Sequence, residues 1–352
     1  MTQIYATLGP ACAGQEIQEK MFQAGMTGMR LNLSHTGLEE SAGLLENFHK
    51  AARNAGVVPQ LLIDMQGPEL RVGKLEEAVE LCEGERVILS SGKDSAVVDG
   101  ICIPVPAAVI PVMESGDEVL LNDGKIALRV LESCKMQPKG TQQEDVQSIK
   151  VAAQVTRGGV LTSHKSVKIT GKQVALPVLT EHDISNICLA SEYGVTGLMQ
   201  PFVQSGSDLA YVRRMLKEHG AEQVQIFAKI ENRAAVVNLP GIIEEADVVI
   251  IARGDLGNDM ELWELPAVQK EIEGACKEAG KPYIVVTQML ASMEENAVPT
   301  RAEVSDIFHA VMHGAYGVMI TGESAVGKYP VEAVKYLANT AKSAEEWRKN
   351  HE

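Results

Sequence analysis

Eight times along the chain a short apolar run, rich in β-branched and aliphatic residues, gives way to a segment with helical spacing. The runs predict strands at Ile4–Leu8, Gly28–Leu33, Gln60–Asp64, Gly197–Gln200, Gln225–Ile230, Val248–Ala252, Tyr283–Thr287 and Gly317–Thr321. The sixth, "VVIIA", is apolar at every position, as expected of a parallel strand buried on both faces. Amphipathic segments with capping starts follow most of them: Thr180 to Asp183, Ser205 to Asp208 and Thr300 to Glu303. Gly220, Gly280 and Gly314 are the expected helix stops. Eight alternating strand–helix units predict an α/β fold of the closed (β/α)8 barrel type, whose sites lie at the carboxyl ends of the strands.

One stretch breaks this alternation. Between Gly73 and Lys165 the helical period vanishes, and "ERVILSS", "DEVLLNDGKIALRVLE" and "SIKVAAQV" alternate between turn signals. The expectation is a discontinuous barrel, residues 1–72 and 166–352, with a small β-barrel lid domain inserted at 73–165.

Composition narrows the partners. With 32 basic and 47 acidic residues the net charge is −15, which argues against a nonspecific nucleic-acid or membrane-surface binder but permits a small phosphorylated ligand. No apolar run is long enough to cross a bilayer, and no secretory leader is expected at Met1. Cys12, Cys82, Cys102, Cys134, Cys188 and Cys276 form no CxxC pair or Cys/His cluster, which fits a reducing cytoplasm rather than a disulfide or zinc framework. Aromatics are only 4%, so the core must be aliphatic.

Polar residues at the strand exits carry the candidate chemistry. The second strand leaves through Arg30, Asn32, Ser34 and His35, the third through Asp64, Glu69 and Arg71, and the fifth through Lys229 and Glu231. Arg253 and Asp255 end the sixth, Thr287 the seventh, and Thr321 with Glu323 the eighth. Glu231 and Asp255 are two hard oxygen ligands from adjacent strands, suited to Mg2+ with waters and substrate oxygens completing the shell. Lys229, two residues earlier, points to the same face as Glu231, where an ammonium stabilises negative charge on a phosphoryl group in transfer. Arg30 and Arg71 supply planar forks for phosphate, and Asn32, Ser34 and Asp64 supply oxygens for a monovalent cation. Gly254 lets backbone N–H groups approach a carboxylate or phosphate oxygen beside the Thr287 hydroxyl. The plainer alternative is a pair of interstrand salt bridges, Lys229–Asp255 and Arg30–Asp64. "GESAVGK" nearly spells a phosphate loop, but Tyr329 replaces the hydroxyl residue and the stretch follows the last strand, so Lys328 is expected to be a solvated loop lysine.

Taken in order, "ATLGPA", "GMRLNLSH", "IDMQGPELRVG", "LNDGKI", "AKIENR", "IARGDLG", "GKPYIVVTQMLASM", "PTRAEVSDIFHAV" and "TGESAVGKYPVEAV" resemble the signatures of the pyruvate kinase family, from Ala6 to about Val334. The resemblance implies transfer of phosphoryl from phosphoenolpyruvate to ADP, giving pyruvate and ATP, in a barrel with an inserted lid, using Mg2+ or Mn2+ and K+. By position it assigns Lys229, Thr287 and Thr321 to catalysis and Arg30, Gly254, Asp255 and Thr287 to substrate. Asn32, His35, Arg71 and Lys165 fall to the nucleotide, Glu231 and Asp255 to the divalent metal, and Asn32, Ser34, Asp64 and the Met65 carbonyl to K+. Glu69 matches the acidic form associated with K+ dependence. Departures fall at Met65 and Gln66, at Pro201 and Gln204, and in "SHKSVKITG". The end at Glu352 predicts a form without the family's C-terminal regulatory domain, insensitive to sugar-phosphate effectors. A cytoplasmic protein with no nucleic-acid or membrane partner is expected, with room for a homo-oligomer through the barrel domain. Two other readings stand beside this one: a Mg2+-dependent, pyruvate-forming aldolase-type barrel, and a weakly active or non-enzymatic phosphoenolpyruvate-binding relative.

Overall fold

The structure, a computed structural model, describes residues 1–34, 36–68, 70–91, 101–122, 124–132, 150–172, 174 and 176–351. Eight parallel strands close into a barrel: β1 (Gln3–Thr7), β2 (Gly28–Asn32), β3 (Gln60–Asp64), β4 (Gly197–Gln200), β5 (Gln225–Ile230), β6 (Val248–Ala252), β7 (Tyr283–Val286) and β8 (Gly317–Met319). Each pairs with its neighbours in chain order, and β1 meets β8 in the register Gln3↔Gly317.

The uniformly apolar β6 shows why the barrel is dry on both sides. Val248, Ile250 and Ala252 face the lumen with Tyr5, Leu62, Met199, Phe227, Ile284, Val286 and Met319. Val249 and Ile251 join the larger core under the helices. Burying each such aliphatic side chain contributes about 1.5–3 kcal/mol, so the closed sheet is rigid enough to aim the residues that follow each strand.

The helical layer comprises α1 (Gln15–Gln23), α2 (Ala42–Ala55), α3 (Glu181–Leu189), α4 (Gly206–Glu218), α5 (Arg233–Val237), α6 (Leu239–Glu245), α7 (Arg253–Asn258), α8 (Leu265–Glu278), α9 (Arg301–Met312), α10 (Gly322–Ala325) and α11 (Pro330–His351). Capping boxes open α3, α4 and α9 at Thr180, Ser205 and Thr300, where the sequence predicts them. Gly220, Gly280 and Gly314 end helices with positive φ. No helix among the described residues is long and apolar enough to cross a membrane.

By contact the chain falls into two units, one of Met1–Gly67 with Val178–Glu352 and one of Pro68–Pro177. The second unit is a curled six-stranded sheet, in the order Val167–Ile169, Glu118–Leu121, Ile126–Glu132, Lys150–Arg157, Arg86–Ser90 and Ile101–Pro104. A two-stranded ribbon, Val79–Leu81 with Gly159–Leu161, accompanies it, and the unit has its own aliphatic core around Val87, Leu89, Leu121, Leu128 and Ala153.

Candidate active site

Strands β2, β3 and β5 bring four charged groups together at the carboxyl end of the barrel. The Arg30 guanidinium places Nε and Nη2 at 2.8 and 2.6 Å from Asp64 Oδ2, and its Nη1 donates to Thr7 Oγ1 at 3.3 Å. Lys229 Nζ lies 2.7 Å from Glu231 Oε1 and 3.3 Å from Asp64 Oδ1. Phe202, held at φ 54° in the β4 exit, donates its N–H to Glu231 Oε2 at 2.9 Å. Asp64 and Glu231 are only 2% and 3% exposed, yet Asp64 Oδ1 and Glu231 Oε1 make no hydrogen bond, since the Lys229 ammonium meets them at ion-pair distance but off hydrogen-bonding geometry. Of the two interstrand pairs in the plainer alternative, Arg30–Asp64 forms, whereas the recorded ion pairs of Lys229 are with Glu231 and Asp64.

Burial sets the electrostatics of this cluster against its pairing. Desolvation alone would lower the Lys229 pKa, but Asp64 and then Glu231 outweigh it and hold the ammonium well above its ordinary value. Burial likewise pushes the Asp64 carboxyl up, while Lys229 and Arg30 together bring it below the usual range. Glu231 goes the other way: burial raises it, Lys229 opposes, and nearby Asp255 raises it further. Pairing with the two carboxylates thus favours the charged form of Lys229.

The β6 exit answers for the abrupt "ARGDLG". Arg253 is spent on its neighbours, donating from Nη2 and Nε to the Thr287 carbonyl at 2.8 and 3.3 Å and pairing Nη1 with Asp306 Oδ2 at 2.7 Å. Gly254 lies under Thr287, where an added Cβ would come within 2.9 Å of Cγ2. Asp255 is exposed at the rim and electrostatically coupled to Glu231. At the β8 exit, Thr321 donates its N–H to the buried Glu323 Oε2 at 2.7 Å and its hydroxyl to the same oxygen at 3.4 Å, while Glu323 Oε1 accepts the Leu290 N–H at 3.0 Å.

Asn32 ends β2 and Ser34 follows it, with Asn32 Oδ1 accepting the Ser34 N–H at 3.2 Å, and buried Met65 donates its N–H to the Met199 carbonyl at 3.1 Å. Arg71 and Lys165 belong to the second unit, on adjacent segments joined by the Arg71↔Ser166 bridge and by the Val72 N–H to the Lys165 carbonyl at 2.8 Å. His35 and Glu69 lie outside the described residues. Lys328, from the rejected phosphate-loop match, is exposed and paired with Glu295. Cys12, Cys82, Cys102, Cys188 and Cys276 are free thiols, and Cys134 lies outside the described residues.

Three supporting residues carry no site role in the sequence reading. Thr7, in "ATLGPA", accepts from Arg30 and donates to the Ile320 carbonyl at 3.1 Å. Asp183 does more than cap α3: its fully buried carboxylate also accepts the N–H groups of Gln66 at 2.9 Å and Gly67 at 3.2 Å, fixing the turn after Asp64. Pro201 fills the space against Gly67, whose φ is 62° and whose added Cβ would meet the proline Cγ at 2.6 Å. A capping box signals Asp183 in sequence, but its second set of partners, more than a hundred residues away, has no sequence signal.

The structure combines a closed (β/α)8 barrel, an inserted β unit and, at the carboxyl end of the strands, two carboxylates flanking a buried ammonium. The family profile "Pyruvate kinase, barrel domain" matches residues 1–334. The chain belongs to the pyruvate kinase family. It is 37% identical over 346 residues to a pyruvate kinase of Geobacillus stearothermophilus, 98% of this chain and 57% of that protein. With the pyruvate kinase of Thermococcus litoralis it shares 38% identity over 351 residues, 99% of this chain and 70% of the relative. The chain thus spans little more than half the length of some of the curated relatives it matches.

Proposed function

We propose that the chain carries the catalytic barrel of a pyruvate kinase, moving phosphoryl from phosphoenolpyruvate to ADP to yield pyruvate and ATP. The observation that carries the reading is the buried Lys229 ammonium held between Glu231 and Asp64, with Asp255 beside Glu231. The charged lysine stabilises the phosphoryl as it leaves the enol oxygen, a preorganised electrostatic role. The Thr321 hydroxyl beside buried Glu323 offers the start of a proton route to the resulting enolate carbon. The Gly254–Asp255 backbone and the Thr287 hydroxyl receive the substrate carboxylate, and Arg30, oriented by Asp64 and Thr7, faces the phosphoryl oxygens. The resemblance supports a nucleotide-binding role for Arg71 and Lys165 of the second unit.

The donor set suits both metals. Mg2+ or Mn2+ would rest on Glu231 and Asp255 with substrate oxygens and water, as Mg2+ commonly does. The buried Glu231 Oε1, without a hydrogen bond, is the oxygen such an ion would satisfy, and Asp64 Oδ1 with Asn32, Ser34 and the Met65 carbonyl would do the same for K+. Bound there, the divalent ion supplies Lewis-acid neutralisation of phosphoryl charge.

The test is pyruvate formation from phosphoenolpyruvate and ADP with Mg2+ and K+, coupled to lactate dehydrogenase. Turnover dependent on all four components is expected. Absence of pyruvate with phosphoenolpyruvate still bound, or cleavage of a 4-hydroxy-2-oxo acid instead, would overturn the proposal.

A further inference from the structure

Thr287 and Gln288 are consecutive non-glycine residues with φ of 74° and 57°, and a β-branched residue in that left-handed region persists only where its surroundings hold it. The peptide between them has an identifiable holder. Its carbonyl oxygen accepts two hydrogen bonds from the Arg253 guanidinium, at 2.8 and 3.3 Å. The guanidinium is anchored behind by Asp306 Oδ2 at 2.7 Å and rests on Met289 Sδ at 2.9 Å. Its side chain is 13% exposed, so this geometry is enclosed rather than a surface pairing.

The next residue completes the device. Gly254 leaves open the volume over which the Thr287 side chain lies, with Cγ2 and Oγ1 at 2.9 and 3.5 Å from where a Cβ would stand. A second tie, from Glu303 of α9 to the Ser292 N–H at 2.7 Å, holds the same β7–α9 connection a few residues on. Helix α9 therefore steers the β7 exit at two points, through Asp306 and through Glu303.

We propose that Arg253, anchored by Asp306, is a positioning residue that fixes the Thr287 side chain, and with it the hydroxyl, against Gly254. Three consecutive residues then divide the work: Arg253 grips the Thr287 peptide, Gly254 clears its side chain, and Asp255 presents the carboxylate. The consequence for catalysis rests on the phosphoryl-transfer reading given above, whereas the grip itself does not.

Two measurements on the intact chain test it. Arg253→Lys keeps the charge but cannot place two donors on one carbonyl while also reaching Asp306. Amide hydrogen exchange of the 287–290 segment should quicken in this variant and in Asp306→Ala, with the strands β1 to β8 unchanged. Unchanged exchange at 287–290 in both variants overturns the proposal whatever the enzyme does. In the pyruvate assay Arg253→Lys should lower kcat about 100-fold, the scale of a misplaced reacting group. Combining it with Thr287→Ala should cost no more than Thr287→Ala alone, because the arginine acts through that hydroxyl. Multiplicative losses would place Arg253 on the substrate itself and overturn the positioning role. Should the parent chain form no pyruvate, the proposed activity falls, and the exchange measurement still decides the grip.

Discussion

Lys229→Met removes the ammonium while keeping the length of the side chain. Asp64 would keep Arg30 as a partner, whereas buried Glu231 would lose the ammonium at 2.7 Å. At an effective dielectric of about 20, a charge pair at 2.7 Å is worth about 6 kcal/mol and one at 3.3 Å about 5 kcal/mol. Desolvating the lysine offsets much of this, so removing one partner of such a buried set should cost about 3–5 kcal/mol of stability. The variant has one escape: Glu231, already pushed up by burial and by Asp255, takes up a proton. A carboxyl raised in the folded state binds a proton that the unfolded chain, at about 4.3, does not, so this stabilisation is complete below the unfolded pKa and is lost as pH rises through the folded one. The stability deficit should accordingly shrink as pH falls from 8 toward the ordinary glutamate range, by at most about 1.4 kcal/mol per pH unit. Urea unfolding of parent and variant across that range measures it, with the lactate dehydrogenase-coupled assay alongside. Turnover should fall at least about 100-fold, while Mg2+ at pH 8 should still stabilise the variant, since Glu231 and Asp255 both remain. Near-normal turnover, or a deficit that does not change with pH, would refute the account of the buried cluster.

Other perturbations probe separate links. Asp183→Ala should lose about 2–4 kcal/mol by urea unfolding, because one carboxylate both caps α3 and holds the Gln66–Gly67 turn. Gly254→Ala forces a methyl to within 2.9 Å of Thr287 Cγ2 and should reduce kcat/KM about 100-fold with the melting temperature little changed. Replacing K+ with tetramethylammonium at constant ionic strength should slow pyruvate formation, since Asn32, Ser34, Asp64 and the Met65 carbonyl offer a small oxygen-lined site; equal rates would remove the monovalent cation from the proposal.

How far the sequence reaches is plain at β6. Full apolarity of Val248–Ala252 announces a doubly buried parallel strand, and its sudden end at Arg253 announces a rim. Which rim residues meet the substrate side is a different matter. Spacing put Arg253 with Asp255 at the mouth, whereas the guanidinium turns to the Thr287 carbonyl and Asp306. Lys229 lies between Glu231 and Asp64, the latter 165 residues away and not signalled as its partner by spacing.

The one-dimensional pattern determined what is periodic or local: eight strand–helix units, their caps and stops, the break for an inserted β unit, and the residue types at each strand exit. Tertiary structure decided the partnerships: Arg30 with Asp64, the Asp183 carboxylate under the Gln66–Gly67 turn, and Arg253 holding two strained residues in place. The division has a physical cause. Hydrophobic periodicity and capping act over a few neighbouring residues and are written in the chain, whereas a buried charge chooses among partners that only barrel closure brings within hydrogen-bonding range.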